Sequence, residues 1–217
     1  MKKSTTVYAG AASVALFASM ALAGSSLANA SADTSASRTA SSHLRAHLDP
    51  LNNSGAHGHA RVTFQGRHAR VDLDAYGLSR NLPHAEHIHF GAEARHECPS
   101  AFDDADGDFR LTTSEGAPAY GPIKKSLTVT GDTSPASGLA VDRFPTAPKG
   151  AIHYDRTINF GSKAVARAIK HGKGVIVIHG IDYNHNGTYD FTSAGASDLD
   201  PSLPAEATDP VLCGVLR

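Results

Sequence analysis

Two histidines in one short segment have the spacing of metal ligands. They are His87 and His89, in the stretch His84-Ala-Glu-His87-Ile-His89-Phe-Gly. Residues two apart on a β-strand point to the same face, so the two imidazoles would lie side by side while Ile88 turns into the core. Copper and zinc bind neutral imidazole nitrogen. The pair therefore predicts half of a transition-metal site, and its other ligands must come from elsewhere in the chain.

A nearby histidine, His96, follows His89 by seven residues on a predicted loop. It could be a further ligand or a proton donor, and the alternative is an ordinary surface histidine. The chain has 13 histidines and only 2 cysteines, which favours metal or proton chemistry although several of the histidines will be exposed. The formal net charge of -1 predicts no basic patch for nucleic acid or for an anionic membrane surface.

Residues 104–115 have oxygen ligands at the spacing of a twelve-residue calcium loop. Acids at positions 1, 3, 5 and 12 and the carbonyl of position 7 are the candidate ligands, namely Asp104, Asp106, Asp108, Glu115 and Arg110. Position 6, where such loops have Gly, is Phe109. Because Gly-Ala-Pro follows Glu115, the sequence predicts a calcium loop between strands with no helix behind it. The alternative is a solvated acidic loop without an ion.

Residues 182–193 predict a second calcium loop, with Gly187 at position 6. Its candidate ligands are Asp182, Asn184, Asn186, Thr188 and Asp190. Position 12 is Ser193, which has no carboxylate, so Asp198 or Asp200 would have to reach back to the ion. A hairpin turn at the Asn-Gly pair is the alternative, and the same residues favour it.

The N-terminal segment predicts secretion. Two lysines precede an apolar, Ala-rich run, too short and interrupted for a membrane span, which ends in the signal-peptidase pattern Ala28-Asn29-Ala30. Residues 1–30 are therefore predicted to be a removed signal peptide, residues 31–42 a flexible linker, and residues 43–217 one folded domain. In an oxidising compartment the only two cysteines, Cys98 and Cys213, are predicted to form a disulfide.

Short alternating segments, separated by Gly and Pro, predict an all-β fold. Eight strands are expected, at residues 44–51, 60–65, 68–76, 85–90, 126–130, 152–160, 174–180 and 213–216. One short helix is expected at residues 163–171, ended by Gly172. Many short strands and little helix indicate a two-sheet antiparallel β-sandwich or flattened barrel.

Three motifs, in this order, resemble the copper/zinc superoxide dismutase superfamily, and more closely its divergent secreted relatives that include chordin-type (CHRD) domains. His87-Ile-His89, followed nine residues later by Cys98, resembles the paired copper ligands and the first disulfide cysteine. Val175-Ile-Val-Ile-His179 resembles the late strand with a further copper histidine, and Leu212-Cys213-Gly-Val-Leu resembles the C-terminal strand. The resemblance spans residues 43–217 and implies a Greek-key β-sandwich that binds copper through His87, His89 and His179.

Two positions depart from the pattern of that superfamily. The histidine that bridges copper and zinc would lie six residues after Cys98, where this chain has Asp104, and the anion-guiding arginine would lie at Pro210. We therefore expect a secreted protein that binds copper or a similar metal, and calcium, without a complete dismutase site. The alternatives are a working copper-only superoxide dismutase and an interaction domain whose histidines bind nothing.

Overall fold

Eight short β-strands form the framework of the protein. The computed structural model describes residues 42–217, so the predicted signal peptide and almost all of the predicted linker lie outside the described residues. The strands are β1 Ser42–Pro50, β2 His57–Gln65, β3 His68–Tyr76, β4 Glu86–His89, β5 Ile123–Ser126, β6 Ala151–Asn159, β7 Val175–His179 and β8 Pro210–Val215.

The strands pair only in antiparallel fashion within the described residues, in the order β5-β4-β7-β8-β1-β2-β3-β6. Strands β1, β2, β3 and β6 form the first sheet and β4, β5, β7 and β8 the second, joined where the end of β1 pairs with β8. Strands β3 and β6 are neighbours, as are β4 and β7, although neither pair is consecutive in sequence. Such crossovers make a Greek key, so the predicted all-β antiparallel sandwich is confirmed.

The core lies between the two sheets. Apolar side chains at every second position of both sheets meet there, and the fully buried ones include Leu48, Val62, Phe64, Leu73, Ile88, Ile176, Ile178 and Leu212. Strands β4 and β7 are buried on both faces. This double burial explains why the centre of β7 is β-branched throughout, since no residue of that strand has to face water.

A second, smaller apolar cluster covers the outer face of β7. It joins Val175 and Val177 to Leu111, Tyr120 and Cys213. The side chain of Ile88 points the other way, into the main core, as the strand alternation predicts. His87 pairs with Val177 across the two strands and therefore shares its outer face. The two candidate ligands of β4 consequently lie under the segments that cover this face.

The prediction of no helix near Glu115 is wrong. Helix α1, Thr113–Tyr120, begins before that residue, because Thr112 and Glu115 form a capping box in which each side chain accepts the other's backbone N–H. Pro118 lies inside the helix but removes only one hydrogen bond, and the bonds of Gly116 to Thr112 and of Gly121 to Ala117 persist.

The other helices are short. Helix α2, Lys163–Ala168, continues as one turn of π-helix, Ile169–Lys173, in agreement with the predicted helix, and α3 spans Ala205–Thr208. The predicted fifth strand at residues 126–130 is displaced, because β5 ends at Ser126 and Val129 instead donates to the carbonyl of Arg143. No helix of residues 42–217 is long and apolar enough to cross a bilayer.

The predicted disulfide is confirmed. Cys98 and Cys213 are bonded, with their Cα atoms 5.7 Å apart and a sequence separation of 115. The bridge ties the segment after β4 to the central strand β8. Disulfides are typical of proteins that fold in oxidising compartments.

Candidate metal centre

Three histidines converge on the outer face of the second sheet. His87 and His89 lie on β4, and His179 ends the neighbouring strand β7, where its backbone N–H donates to the carbonyl of Ala85 at 2.8 Å. One ring nitrogen of each histidine lies within 4.8 Å of those of the other two. All three side chains are buried, with at most 3% of their surface exposed. We call His87, His89 and His179 the triad.

Backbone carbonyls hold the second nitrogen of each ring of the triad. The pairs are His87 Nε2 with Gly138 O at 3.0 Å, His89 Nδ1 with Gly121 O at 2.7 Å, and His179 Nδ1 with Thr208 O at 2.6 Å. A carbonyl oxygen can only accept, so each of these nitrogens must have the proton, and the other nitrogen of each neutral ring is left with a lone pair. The carbonyls therefore fix both the tautomer and the orientation of each ring.

The remaining nitrogens have no hydrogen-bond partner within residues 42–217. They are His87 Nδ1, His89 Nε2 and His179 Nε2, all fully enclosed. A buried acceptor without a partner costs about 1–3 kcal/mol, so three in one place require an explanation. A transition-metal ion accepts the lone pairs of three imidazoles, and the protein's residues fit that ion.

Burial keeps the triad uncharged. Loss of hydration lowers the pKa of His87 well below its ordinary value, and the neighbouring His179 and His89 lower it further. The same burial lowers the pKa of His89 to about 3 and that of His179 to about 4. A metal must displace a proton from a charged imidazole before it can bind. At neutral pH no proton has to leave any of these rings, so the triad is ready for a cation.

Helix α1 supplies part of the enclosure of the triad. Its last residue, Tyr120, packs edge-on against His89 with the ring centroids 4.6 Å apart, and its hydroxyl donates to the carbonyl of Thr113. Gly121 follows with φ of 81°, and a Cβ there would lie 2.7 Å from the backbone nitrogen of Gly91. Only glycine fits this close approach, which brings the Gly121 carbonyl to His89. The Thr112–Glu115 capping box was the sequence signal for this helix.

A fourth buried histidine, His84, contacts the backbone of the triad residue His179. Its Nδ1 lies 2.9 Å from the carbonyl of His179, and its Nε2 lies 3.1 Å from the carbonyl of Ser79. Burial lowers the pKa of His84, although the carbonyls of Ser79 and His179 oppose this shift. No sequence pattern predicts a role for His84, because a buried supporting histidine has no characteristic spacing.

A cavity of about 270 Å³ opens in front of the triad. Its mouth includes three apolar side chains that are 43–49% exposed, Leu139, Val141 and Leu199. Its walls are formed largely by small and apolar residues, Ala85, Ala117, Tyr120, Pro122, Ile123, Leu203 and Ala207. A fourth ligand could therefore reach a metal on the triad from one side.

The cavity wall is uncharged, and one carboxylate lies near it. No Lys, Arg, Asp or Glu is among the described residues that line it. The carboxylate of Asp198 lies close enough to raise the pKa of both His179 and Tyr120, although burial is the larger influence on each. Asp198 is itself held by a hydrogen bond from the backbone N–H of Ser114. An anion that approaches the triad thus meets no positive side chain on the cavity wall.

His96 lies apart from the triad. Its ring stacks on Phe90, with the centroids 5.4 Å apart and the planes 21° from parallel. Among the described residues, His96 belongs neither to the histidine cluster that could bind a metal nor to the lining of the cavity.

Other histidines lie in a row on the exposed face of the first sheet. In this row His59 and His153 lie on either side of Asp74.

The first acidic loop, residues 104–115, brings three carboxylates together. Oxygens of Asp104, Asp106 and Asp108 lie within 4.8 Å of one another. Phe109 has φ of 65° at the position where such loops use Gly. Glu115 accepts hydrogen bonds from the backbone of Ala105 and of Thr112, so its carboxylate bridges the two ends of the loop. Arg110 turns its guanidinium to Asp209, with Nη1 and Oδ2 2.9 Å apart.

The second acidic loop, residues 182–193, contacts a different carboxylate from the two that were expected. Asp182 accepts from the N–H groups of Asn186 and Gly187, as a calcium loop requires at its first position. The expectation that Asp198 or Asp200 reaches back is wrong, because Asp198 binds Ser114 and Asp200 accepts from Ser202.

Glu206, fully buried on α3, reaches the second acidic loop instead. It accepts from the N–H groups of Tyr183 and Asp190 and from the hydroxyl of Ser193. Sequence spacing could not identify it, because it lies thirteen residues beyond Ser193. The Asn186 amide donates to the Asp190 carboxylate at 2.6 Å, and Asn184 donates to Thr192. Thr188 donates to Asn186 through both its backbone N–H and its hydroxyl.

Comparison with known proteins gives little beyond this geometry. No protein-family model matches the chain, and no curated protein matches it. A matching solved structure is that of a SOD-like (superoxide dismutase-like) protein from Bacillus subtilis, a double mutant in which a tyrosine and a proline are each replaced by histidine. The two chains are 15% identical, the match covers 79% of this chain and 95% of the other, and the TM-score is 0.34.

Proposed function

We propose that the protein is a secreted metal-binding β-sandwich protein that holds copper, or a similar transition metal, on the triad. The three unpartnered ring nitrogens support this proposal most directly. An all-imidazole site suits copper, zinc, iron and nickel, and Cu²⁺ has the highest affinity of these divalent ions for nitrogen donors. Bound copper would supply one-electron redox chemistry. The disulfide and the predicted signal peptide support secretion, and the three sequence motifs support a relation to CHRD-type proteins.

We expect the purified protein to bind one copper ion per chain at the triad. With 13 histidines in the chain, adventitious binding to surface imidazoles is the main alternative. The test is a Cu²⁺ titration in the presence of a competing chelator, followed by elemental analysis. His87→Ala with His89→Ala should abolish stoichiometric binding and retain the fold. The control, His59→Ala with His153→Ala on the exposed sheet, should bind copper like the unchanged protein.

Either of two results contradicts the copper proposal. Copper retained by the triad variant but lost by the surface variant would place the binding on the exposed histidine row. Global unfolding of the triad variant, followed by circular dichroism, would show that the pair has a structural role instead.

We further propose that residues 104–115 and 182–193 bind calcium and stabilise the domain. In the first acidic loop three carboxylates converge, and Phe109 adopts the left-handed conformation of the calcium-loop turn. In the second, the buried Glu206 supplies the carboxylate that Ser193 lacks. Oxygen-rich loops of this kind favour Ca²⁺ over transition metals.

A copper-only superoxide dismutase is the second candidate function. The cavity in front of the triad favours it, because redox catalysis requires an open coordination position. The uncharged wall and the nearby Asp198 oppose it, because an anionic substrate is drawn to an active site by positive charge. A superoxide assay on protein with verified copper content decides between them, since bound copper without turnover leaves the binding function alone.

A further inference from the structure

We propose that the cavity in front of the triad takes a small, uncharged, mainly apolar molecule that has one metal-ligating atom, such as an aryl azole. This inference rests on the proposed metal site and concerns what that site admits. The cavity volume of about 270 Å³ is large enough for one small molecule. Pockets for small organic ligands begin at about 300 Å³, so the occupant is at the small end of that range.

The wall of the cavity selects an apolar occupant. Ala117, Pro122 and Ile123 offer only carbon on one side, and Leu203 offers the same on another. Thr113, Ser114 and Thr208 also line the cavity, but most of its surface is apolar, so a polar molecule would lose more hydration than these few groups replace. An aromatic or aliphatic group would instead remove apolar surface from water on both partners.

The mouth of the cavity is also apolar. Leu139, Val141 and Leu199 are each between 43% and 49% exposed, and all three line this one opening. Single exposed apolar residues are common on protein surfaces, but several around one cavity mark a binding site. They give an apolar ligand a continuous path from solvent to the triad.

Charge and coordination set the remaining requirements. The described cavity wall has no Lys or Arg to pair with an anion, and an ammonium ligand would have to leave water for an apolar wall. The triad supplies three imidazoles to the metal, so one ligating atom of the occupant can complete a four-coordinate site. A neutral azole nitrogen attached to an aromatic ring meets all of these conditions.

The test uses copper-loaded protein and 4-phenylimidazole as the probe. Titration followed by the copper visible and EPR spectra should show binding that is about tenfold or more tighter than that of imidazole, which lacks the phenyl group. Azide, a small anion, should bind more weakly than either. Equal affinities of phenylimidazole and imidazole, or tighter binding of azide, would overturn the inference.

A matched pair of variants locates the probe. Leu199→Asp should weaken phenylimidazole at least about tenfold, because it places a charge against the apolar ring. Val129→Asp changes a residue that is 48% exposed but does not line the cavity, and it should leave the affinity unchanged. Both variants should keep one copper per chain. Equal effects of the two substitutions would show that the probe binds elsewhere.

Failure of the metal proposal would be recognised separately. If the triad binds no copper, toluene, which has no ligating atom, is titrated into the metal-free protein and followed by NMR. Shifts at Leu139 and Leu199, absent at Val129, would support an apolar ligand site without a metal. No shifts at the cavity residues would overturn the inference on its own terms.

Discussion

At the scale of the residue, the triad depends on backbone carbonyls more than on other side chains. Each imidazole is held by a different segment, through Gly121, Gly138 or Thr208. Because the carbonyl selects which nitrogen has the proton, the lone pairs that a metal needs are present before any ion binds. The rings are also neutral, so their burial does not place three charges in an apolar site.

Burial of these uncharged rings makes the stability of the metal-free protein depend on pH. His89 and His179 have pKa values of about 3 and about 4 in the folded state, below the ordinary value of 6.5. The unfolded chain therefore binds more protons below pH 6.5, and stability falls as the pH decreases from 6.5 toward 4. We expect a loss on the order of 1 kcal/mol per pH unit for each histidine, measured by urea unfolding.

The control for this pH dependence removes the titrating rings. A variant with His87→Gln, His89→Gln and His179→Gln should show a flatter dependence over the same range. If unchanged and variant proteins lose stability in parallel on acidification, other groups are responsible.

Sequence reasoning reached the triad unevenly, for physical reasons. His87 and His89 could be found from spacing alone, because strand periodicity is local. His179 came only from resemblance to a family, since strand spacing cannot reveal which distant residue will lie beside β4. The supporting carbonyls of Gly121, Gly138 and Thr208 could not be predicted, because every residue has a carbonyl.

At the scale of the element, helix α1 connects the first acidic loop to the candidate metal centre. Thr112 and Glu115 cap its first turn, and Tyr120 and Gly121 end it against His89. The Gly-Ala-Pro run after Glu115 predicted no helix, but the helix begins before that run, at the Thr112–Glu115 capping box. In a helix this short, a well-capped start and a buried tyrosine offset one missing hydrogen bond.

Removal of this cap should weaken the metal centre as well as the helix. Thr112→Ala is expected to lower the free energy of unfolding by about 1 kcal/mol and to reduce copper affinity, because α1 positions the Gly121 carbonyl. Ser162→Ala removes the equivalent cap from α2, where the Ser162 hydroxyl accepts from Val165, and should lower stability alone. Equal copper affinities in the two variants would show that α1 does not position the metal ligands.

Calcium should raise the melting temperature of the copper-free protein. An ion that binds only the folded state stabilises it by about 2.7 kcal/mol at one hundred times its dissociation constant. Calorimetry with added Ca²⁺ and then with excess EGTA measures the effect. Asp104→Asn with Asp106→Asn should remove the part of the calcium-dependent rise in melting temperature that is due to the first acidic loop. Asp200→Asn, which alters an acid outside both loops, should not, and an unchanged melt with and without calcium would exclude both loops.

At the scale of the whole molecule, the local alternation of apolar and polar residues predicts the strands. Contacts between residues that are distant in sequence determine the order of those strands in the sheet. Alternation at residues 42–76 predicts β1, β2 and β3 well, because their burial alternates cleanly. The placement of β7 between β4 and β8 has no local signature, because it depends on contacts between residues that are far apart in sequence.

The disulfide joins two segments that are far apart in sequence. Cys98 precedes the first acidic loop, and Cys213 lies in β8 opposite Val177 of β7. A bridge across 115 residues restricts the unfolded chain strongly, so Cys98→Ala with Cys213→Ala should lower the free energy of unfolding by roughly 2–5 kcal/mol. Urea unfolding measures the loss, and reduction of the unchanged protein is the matched comparison.

The metal centre should outlast the loss of the bridge. His87 and His89 are held by the pairing of β4 with β7, in which neither cysteine takes part. One copper per chain should therefore remain bound to the double cysteine variant under conditions where it is folded. Loss of copper from the folded variant would show that the bridge, rather than the sheet, positions the triad.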